Sequence, residues 1–150
     1  MEKHYEVLKN KYSLPTFEEL DNHYELAELE DKKHLLRNIR GKMKERFDAI
    51  ISLLLDILEP DVDAVSIHEA QVFSEMESKQ ILTLFEKLKY FSRSSSVLFI
   101  DDSEEKNADY IKQIHEKYLI LKPQIKQIIE RIRDSWNGLK KQENKEAYFG

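Results

Sequence analysis

An all-α fold is what this sequence predicts: an elongated bundle with two long helices, about 30–58 and 103–137, and three or four shorter ones. Three observations lead there. Apolar residues recur every three or four positions over two long segments, which places them on one helix face. The 150-residue chain holds only three Gly and three Pro, fewer breakers than turn-dense β architectures need. Start signals of the form Ser/Thr-x-x-Glu stand ahead of several candidate helices. With 41% apolar residues, a single domain over 1–140 can bury a core, leaving 141–150 as a frayed tail.

The elements follow in order. Glu2 to Lys11 reads as a short helix carrying Tyr5, Leu8 and Tyr12, ended by Leu14-Pro15 because the residue before proline avoids the α region. Thr16-Phe-Glu-Glu19 has capping-box spacing and predicts a second short helix from Phe17 to about Tyr24. Glu30 to Leu58 is a long helix, roughly 43 Å, with Leu36, Ile39, Met43, Phe47, Ile50, Leu54 and Leu58 on one stripe. Glu30 and Asp31 suit its positive end and Pro60 stops it. Gly41 inside it costs about 1 kcal/mol relative to alanine, and could mark a close approach by another helix.

Ser66-Ile-His-Glu69 and Ser74-Glu-Met-Glu77 repeat the capping pattern. They suggest a short helix near Ile67–Phe73 and a longer one near Glu75–Arg93, or one kinked helix. Ser92-Arg-Ser-Ser-Ser96 reads as a linker, and Val97-Leu-Phe-Ile100 as an extended apolar strap laid on the core. From Ser103, Ile111, Ile114, Tyr118, Leu121, Ile125, Ile128, Ile132 and Leu139 keep a heptad alternation. Pro123 lies off that seam and should kink the helix near Leu119–Lys122, and Asn137-Gly138 is the expected C-terminal cap. The expected core comprises Leu36, Ile39, Met43, Phe47, Ile50, Leu54, Leu84, Leu88, Ile114, Leu121, Ile125, Ile128 and Ile132. Phe17, Phe73, Phe85, Phe91 and Trp136 should also lie on apolar faces.

Composition excludes several chemistries. Without cysteine there is no disulfide framework, thiolate nucleophile or Cys-ligated zinc. Three glycines leave no room for a phosphate-cradling loop. The opening Met1–Val7 is charged rather than apolar, unlike a secretory leader, and the densest apolar stretch, 49–58, falls short of the ~20 residues of a membrane span. A cytoplasmic location without membrane contact is therefore expected.

No catalytic signature stands out. A dinuclear carboxylate bundle needs Glu-x-x-His on two helices, and the one acid-x-x-His match is Asp31-Lys-Lys-His34, at a helix start. The serines fall at caps or in the linker, where local backbone explains them. Asp61, Asp63, Glu69, Glu75 and Glu77 form an acidic stretch without Ca²⁺-loop spacing, most simply a solvated surface. Catalytic, cofactor and metal residues are accordingly all read as none, and an enzyme assembled in space from carboxylates and histidines ranks third.

Charge is distributed in blocks. The net −5 is the remainder of −6 over 1–31, +6 over 32–46, −6 over 59–78, +3 over 79–93, −4 over 101–111 and +5 over 112–145, joined by minor segments. Lys33, Arg37, Arg40 and Lys44 step by four, three and four, a single basic stripe; Lys122, Lys126 and Arg133 form a second. Such stripes are usually solvated flanks paired with nearby acids, but they can also hold an acidic protein surface or nucleic-acid phosphates.

Tyr12-Ser-Leu-Pro-Thr-Phe-Glu-Glu-Leu-Asp21, Leu35-Leu-Arg-Asn-Ile-Arg40 and Leu54-Leu-Asp-Ile-Leu-Glu-Pro60 resemble segments of small uncharacterised archaeal all-helical proteins, over about the first two thirds of the chain. That resemblance implies a cytoplasmic archaeal origin and carries no activity or site residues. The leading functional expectation is a non-enzymatic protein–protein interaction or assembly module, acting on a protein partner or a second copy. Nucleic-acid association through the basic stripes is the alternative.

Overall fold

The computed structural model describes residues 2–29 and 33–149, with side chains described up to residue 137. Among the described residues there are helices and no strand: α1 (Glu2–Tyr12), α2 (Phe17–Tyr24), a 3₁₀ turn (Leu26–Glu28), α3 (Leu35–Leu58), α4 (Ala64–Gln71), α5 (Glu75–Ile100) and α6 (Glu104–Phe149). The fold is all-α. α3 packs along both α5 and α6, while α1 and α2 close one end and α4 lies against α3.

Local chemistry sets the short elements. Ser13 takes a left-handed conformation (φ 56°), and the Leu14 N–H reaches back to the Lys9 carbonyl at 3.1 Å, the geometry that closes a helix end when the next residue is buried. Glu25 does the same for α2, its N–H bonding the Asp21 carbonyl at 2.9 Å. Thr16 accepts from the Glu19 N–H at 3.1 Å, as its spacing predicts. The Glu19 carboxylate does not complete that box and instead meets His115 at 3.1 Å.

α3 begins at Leu35, after a turn at Lys33-His34; the expected start at Glu30–Asp31 lies outside the described residues. Leu35, Leu36, Ile39, Met43, Phe47, Ile51, Leu54 and Ile57 are its buried apolar residues, at helical spacing. Ile50 is only partly buried, the stripe passing to Ile51. At Gly41, a Cβ would meet nothing within 4 Å, so no close approach requires the glycine.

Residues 67–93 divide between two helices. Asp63, rather than Ser66, caps α4, accepting from the Ser66 N–H at 2.8 Å and the Ser66 hydroxyl at 2.9 Å. Ser74 and Glu77 form the complete reciprocal box at the start of α5. The expected linker and strap are both absent, because α5 continues to Ile100. Ser92 and Ser95 are buried, and the Ser92 hydroxyl donates to Asp48 Oδ1 on α3 at 2.5 Å. Small side chains therefore sit at the packed face, with the hydroxyl satisfied across the interface. Past them Val97, Phe99 and Ile100 face solvent, and only Leu98 leans on the core.

The α6 seam is buried from Ile111 to Ile128, with Ile132 partly covered. Leu139 lies beyond the described side chains. α6 continues through Pro123, at an exposed position, and the expected cap at Asn137-Gly138 does not end it, since the helix runs to Phe149; the side chains of the expected frayed tail lie outside the described residues. The centre of the core is aromatic. Phe47, fully buried, meets Tyr24, Phe91 and Tyr118 at ring separations of 6.0, 5.5 and 5.2 Å, so α2, α5 and α6 converge on one α3 side chain. Trp136 is not core: it is 36% exposed, donates to Glu69 Oε2 at 3.0 Å and lies 4.1 Å from the His68 ring.

Candidate functional site

The two basic stripes meet different fates. Arg40 is buried (4% exposed), and neither its Nε nor its Nη1 has a hydrogen-bond partner, so it is not part of an exposed stripe. Arg37 reaches Asp102 at 3.3 Å, before α6. Lys44 holds Asp48 at 2.6 Å, beside Ser92 of α5. Lys33 lines a small cavity with His4, His34, Arg37, Asp102 and Glu104. Lys122 lies 3.0 Å from His23 Nδ1, while Lys126 and Arg133 pair with Glu130 at 3.8 Å and Asp134 at 3.0 Å on their own helix. Arg37 thus engages the α5–α6 connection, Lys44 pairs within α3, and Lys122 engages α2. Much of the charge that looks like a phosphate-binding surface in sequence is matched by acids in the fold.

The acidic stretch is likewise partly absorbed. Asp63 is the α4 cap, Glu69 accepts from Trp136, and Glu77 pairs with Arg131. Arg131 also donates to the Val72 carbonyl at 3.0 Å and covers the Phe73 ring at 4.8 Å, fastening the α4–α5 elbow to α6.

Two features remain that side-chain packing alone does not account for. The first is a groove between α5 and α6. A hollow of about 330 Å³ is lined by Lys87, Tyr90, Phe91, Lys117, Ile120 and Leu121. A second, of about 250 Å³, shares Tyr90 and Lys117 and continues past Leu98 toward the start of α6. Phe91 and Leu121 form the buried floor, whereas Tyr90 and Ile120 are 64% and 75% exposed. Val97 and Ile100, also exposed, follow Tyr90 along α5 at spacings of seven and three. Of these, Tyr90 and Ile120 line the hollows and Val97 and Ile100 do not. The sequence signal is present but faint: Tyr90 and Ile120 are each one residue off the apolar seam of their helix.

The second is a polar cluster between α2 and α6. His115 is 2% exposed; its Nδ1 lies 2.8 Å from the Tyr24 hydroxyl and its Nε2 lies 3.1 Å from Glu19 Oε1. With a neutral ring the set is satisfied if Tyr24 donates to Nδ1 and Nε2–H donates to Glu19. Burial raises the Tyr24 pKa, which keeps that hydroxyl protonated. His23 stands 5.1 Å from the His115 ring, and one donor atom from each of Glu19, His23 and His115 lies within 4.8 Å of the others. Burial, then Lys122 and His115, lowers the His23 pKa and favours the neutral ring. Glu19 and His23 are four apart on α2, an i,i+4 pair that a search for acid-x-x-His spacing passes over, and His115 joins them only through the fold. His34 and His68 lie elsewhere, in the cavity beside α1 and against Trp136.

Comparison with protein-family models, curated proteins and solved structures finds no match. The class that the fold defines is an all-α helical protein whose long helices carry a lysine-rimmed apolar groove. No described helix is long and apolar enough to cross a membrane.

Proposed function

We infer that this chain is a non-enzymatic interaction module that docks an acidic, amphipathic helix of a protein partner into the α5–α6 groove. The observation that carries the reading is the pair Tyr90 and Ile120, exposed apolar side chains facing a groove that Lys87 and Lys117 help to line. A helix laid in such a groove buries apolar anchors at i, i+3, i+4 and i+7, and acids on its flanks meet the lysines. Tyrosine suits the role because it covers a large area and its hydroxyl can stay wet. Nucleic-acid association draws less support, since Arg40 is enclosed and Arg37 and Lys44 are matched by Asp102 and Asp48. Self-association through an uncovered heptad seam also draws less, because Ile111 to Ile128 is buried within one chain.

The test pairs quantitative pulldown with light scattering on the wild type, Tyr90→Asp, Ile120→Asp and the charge reversal Arg133→Glu. The expected result is a monomer that retains one protein partner, loses it in both groove variants and keeps it in Arg133→Glu. Binding to the purified partner segment should weaken with salt. A wild-type dimer that Ile120→Asp dissociates would replace the partner helix with a second copy. A partner set unchanged by both groove variants, or recovery of nucleic acid alone, would overturn the reading.

A further inference from the structure

We propose that Glu19, His23 and His115 form a binding site for a divalent transition-metal ion of the zinc type. The donor set is two imidazoles and one carboxylate, the His₂Glu combination that zinc accepts when water completes its shell. The geometry is close to what an ion requires. Ligand atoms about 2.0–2.1 Å from a tetrahedral zinc stand ~3.3 Å from one another, and His115 Nε2 and Glu19 Oε1 are already 3.1 Å apart. His23, within 4.8 Å of both, would have to move in by up to about 1.5 Å to reach that spacing.

The surroundings supply what a ligating histidine needs. A metal-bound imidazole ordinarily donates a hydrogen bond from its other ring N–H to a fixed acceptor, which sets the tautomer and the ring plane. The Tyr24 hydroxyl, in a residue only 2% exposed, stands 2.8 Å from His115 Nδ1 and fills that place. When the ion takes Nε2, the imidazole carries its one proton on Nδ1, and that N–H donates a hydrogen bond to the Tyr24 oxygen. Tyr24 is itself wedged against Phe47 and Tyr118 at 6.0 and 5.8 Å, so the acceptor is held by the core. Glu19 is free to serve because it does not close the Thr16 capping box, and its side chain is 43% exposed, open to a water ligand.

Lys122 borders the site. Its ammonium, 3.0 Å from His23 Nδ1, sets a positive charge against one of the proposed ligands. The side chain is exposed and long, and a metal ion would drive it off by like-charge repulsion. Removing that charge should therefore strengthen metal binding, an effect that a purely structural hydrogen-bond cluster would not produce.

The experiment is calorimetric titration of the untagged full chain with Zn²⁺ alone, repeated with Co²⁺, alongside thermal melts with and without Zn²⁺. One ion per chain should bind and raise Tm, since an ion that binds only the native state stabilises it. His23→Gln and Glu19→Gln, at half-exposed positions that should fold, should each weaken binding by roughly tenfold or more, and Tyr24→Phe by roughly tenfold. Lys122→Met should tighten it severalfold, and His68→Gln should leave it unchanged. Absence of saturable binding, or binding that survives both His23→Gln and Glu19→Gln, would overturn the proposal. So would a Lys122→Met variant that binds more weakly while melting like the wild type.

Discussion

Replacing Phe47 with alanine removes the side chain on which α2, α5 and α6 meet. Phe47 is fully buried and faces three rings, those of Tyr24, Phe91 and Tyr118, at 6.0, 5.5 and 5.2 Å. Phe→Ala in a core costs about 3–5 kcal/mol, the lost transfer energy plus the cavity left behind. Here the three rings belong to three separate helices, so no single rotamer change can fill the void. The cost should fall near the middle of that range, about 4 kcal/mol. For a chain of this size that corresponds to a fall in Tm of roughly 8–16 °C. Phe47→Leu retains most of the volume and loses the ring–ring contacts, and should cost only about 1–1.5 kcal/mol. Urea unfolding followed by far-UV circular dichroism reads both, with the midpoint moving and the slope unchanged. An alanine variant within about 1.5 kcal/mol of the wild type, or indistinguishable from the leucine variant, would mean that the helices do not converge there.

Further outcomes follow from single positions. Gly41→Ala should stabilise the fold by about 1 kcal/mol in the same urea assay, since a Cβ there meets nothing within 4 Å and helix propensity is the remaining difference. Pro123→Ala should stabilise by about 2 kcal/mol: roughly 3 recovered from the helix interior, less up to about 1 for a more flexible unfolded chain. A destabilised variant would show that core packing depends on the proline. Arg40→Met should be neutral or stabilising in thermal melts, because it removes a buried guanidinium with two unpartnered nitrogens while keeping the aliphatic stem's packing. A loss of more than about 1 kcal/mol would reveal a strong partner for that charge. Burial pushes the Asp48 pKa up, but hydrogen bonds from Lys44 and Ser92 outweigh it and leave the carboxyl below its ordinary value. Its contribution is therefore present above the unfolded carboxylate value of about 4 and lost as pH falls through the lower native value. The gap in urea midpoint between wild type and Asp48→Asn should be largest near neutral pH and close on acidification.

The periodic elements are legible in the chain itself, because a helix face needs only local spacing to declare itself. The stripe from Leu36 to Leu54, with Ile51 in place of Ile50, and the seam from Ile111 to Ile128 are buried as their spacing requires. Thr16 and Ser74 cap the helices their motifs announce. The failures share a cause. Ser92-Arg-Ser-Ser-Ser96 has the composition of a linker, yet it is helical, because Asp48, forty-four residues away, receives the Ser92 hydroxyl and Ser95 is buried in the bundle. Ser66 loses the capping role to Asp63, a rival three residues earlier that the motif cannot rank. Arg40 keeps the spacing of the basic stripe, but where α3 sits in the bundle puts it inside.

By itself, then, the sequence determined the all-α class, the axes of the long helices and most of the side chains that line the core, since those follow from periods of three and four along one segment. Only the tertiary structure decided which off-seam residues would be left at a groove, as Tyr90 and Ile120 are, and which polar residues would meet across the chain. Glu19 and His115 are ninety-six residues apart in sequence, and their polar atoms stand 3.1 Å from one another. No local pattern records that distance, because it depends on how α2 and α6 pack around Phe47.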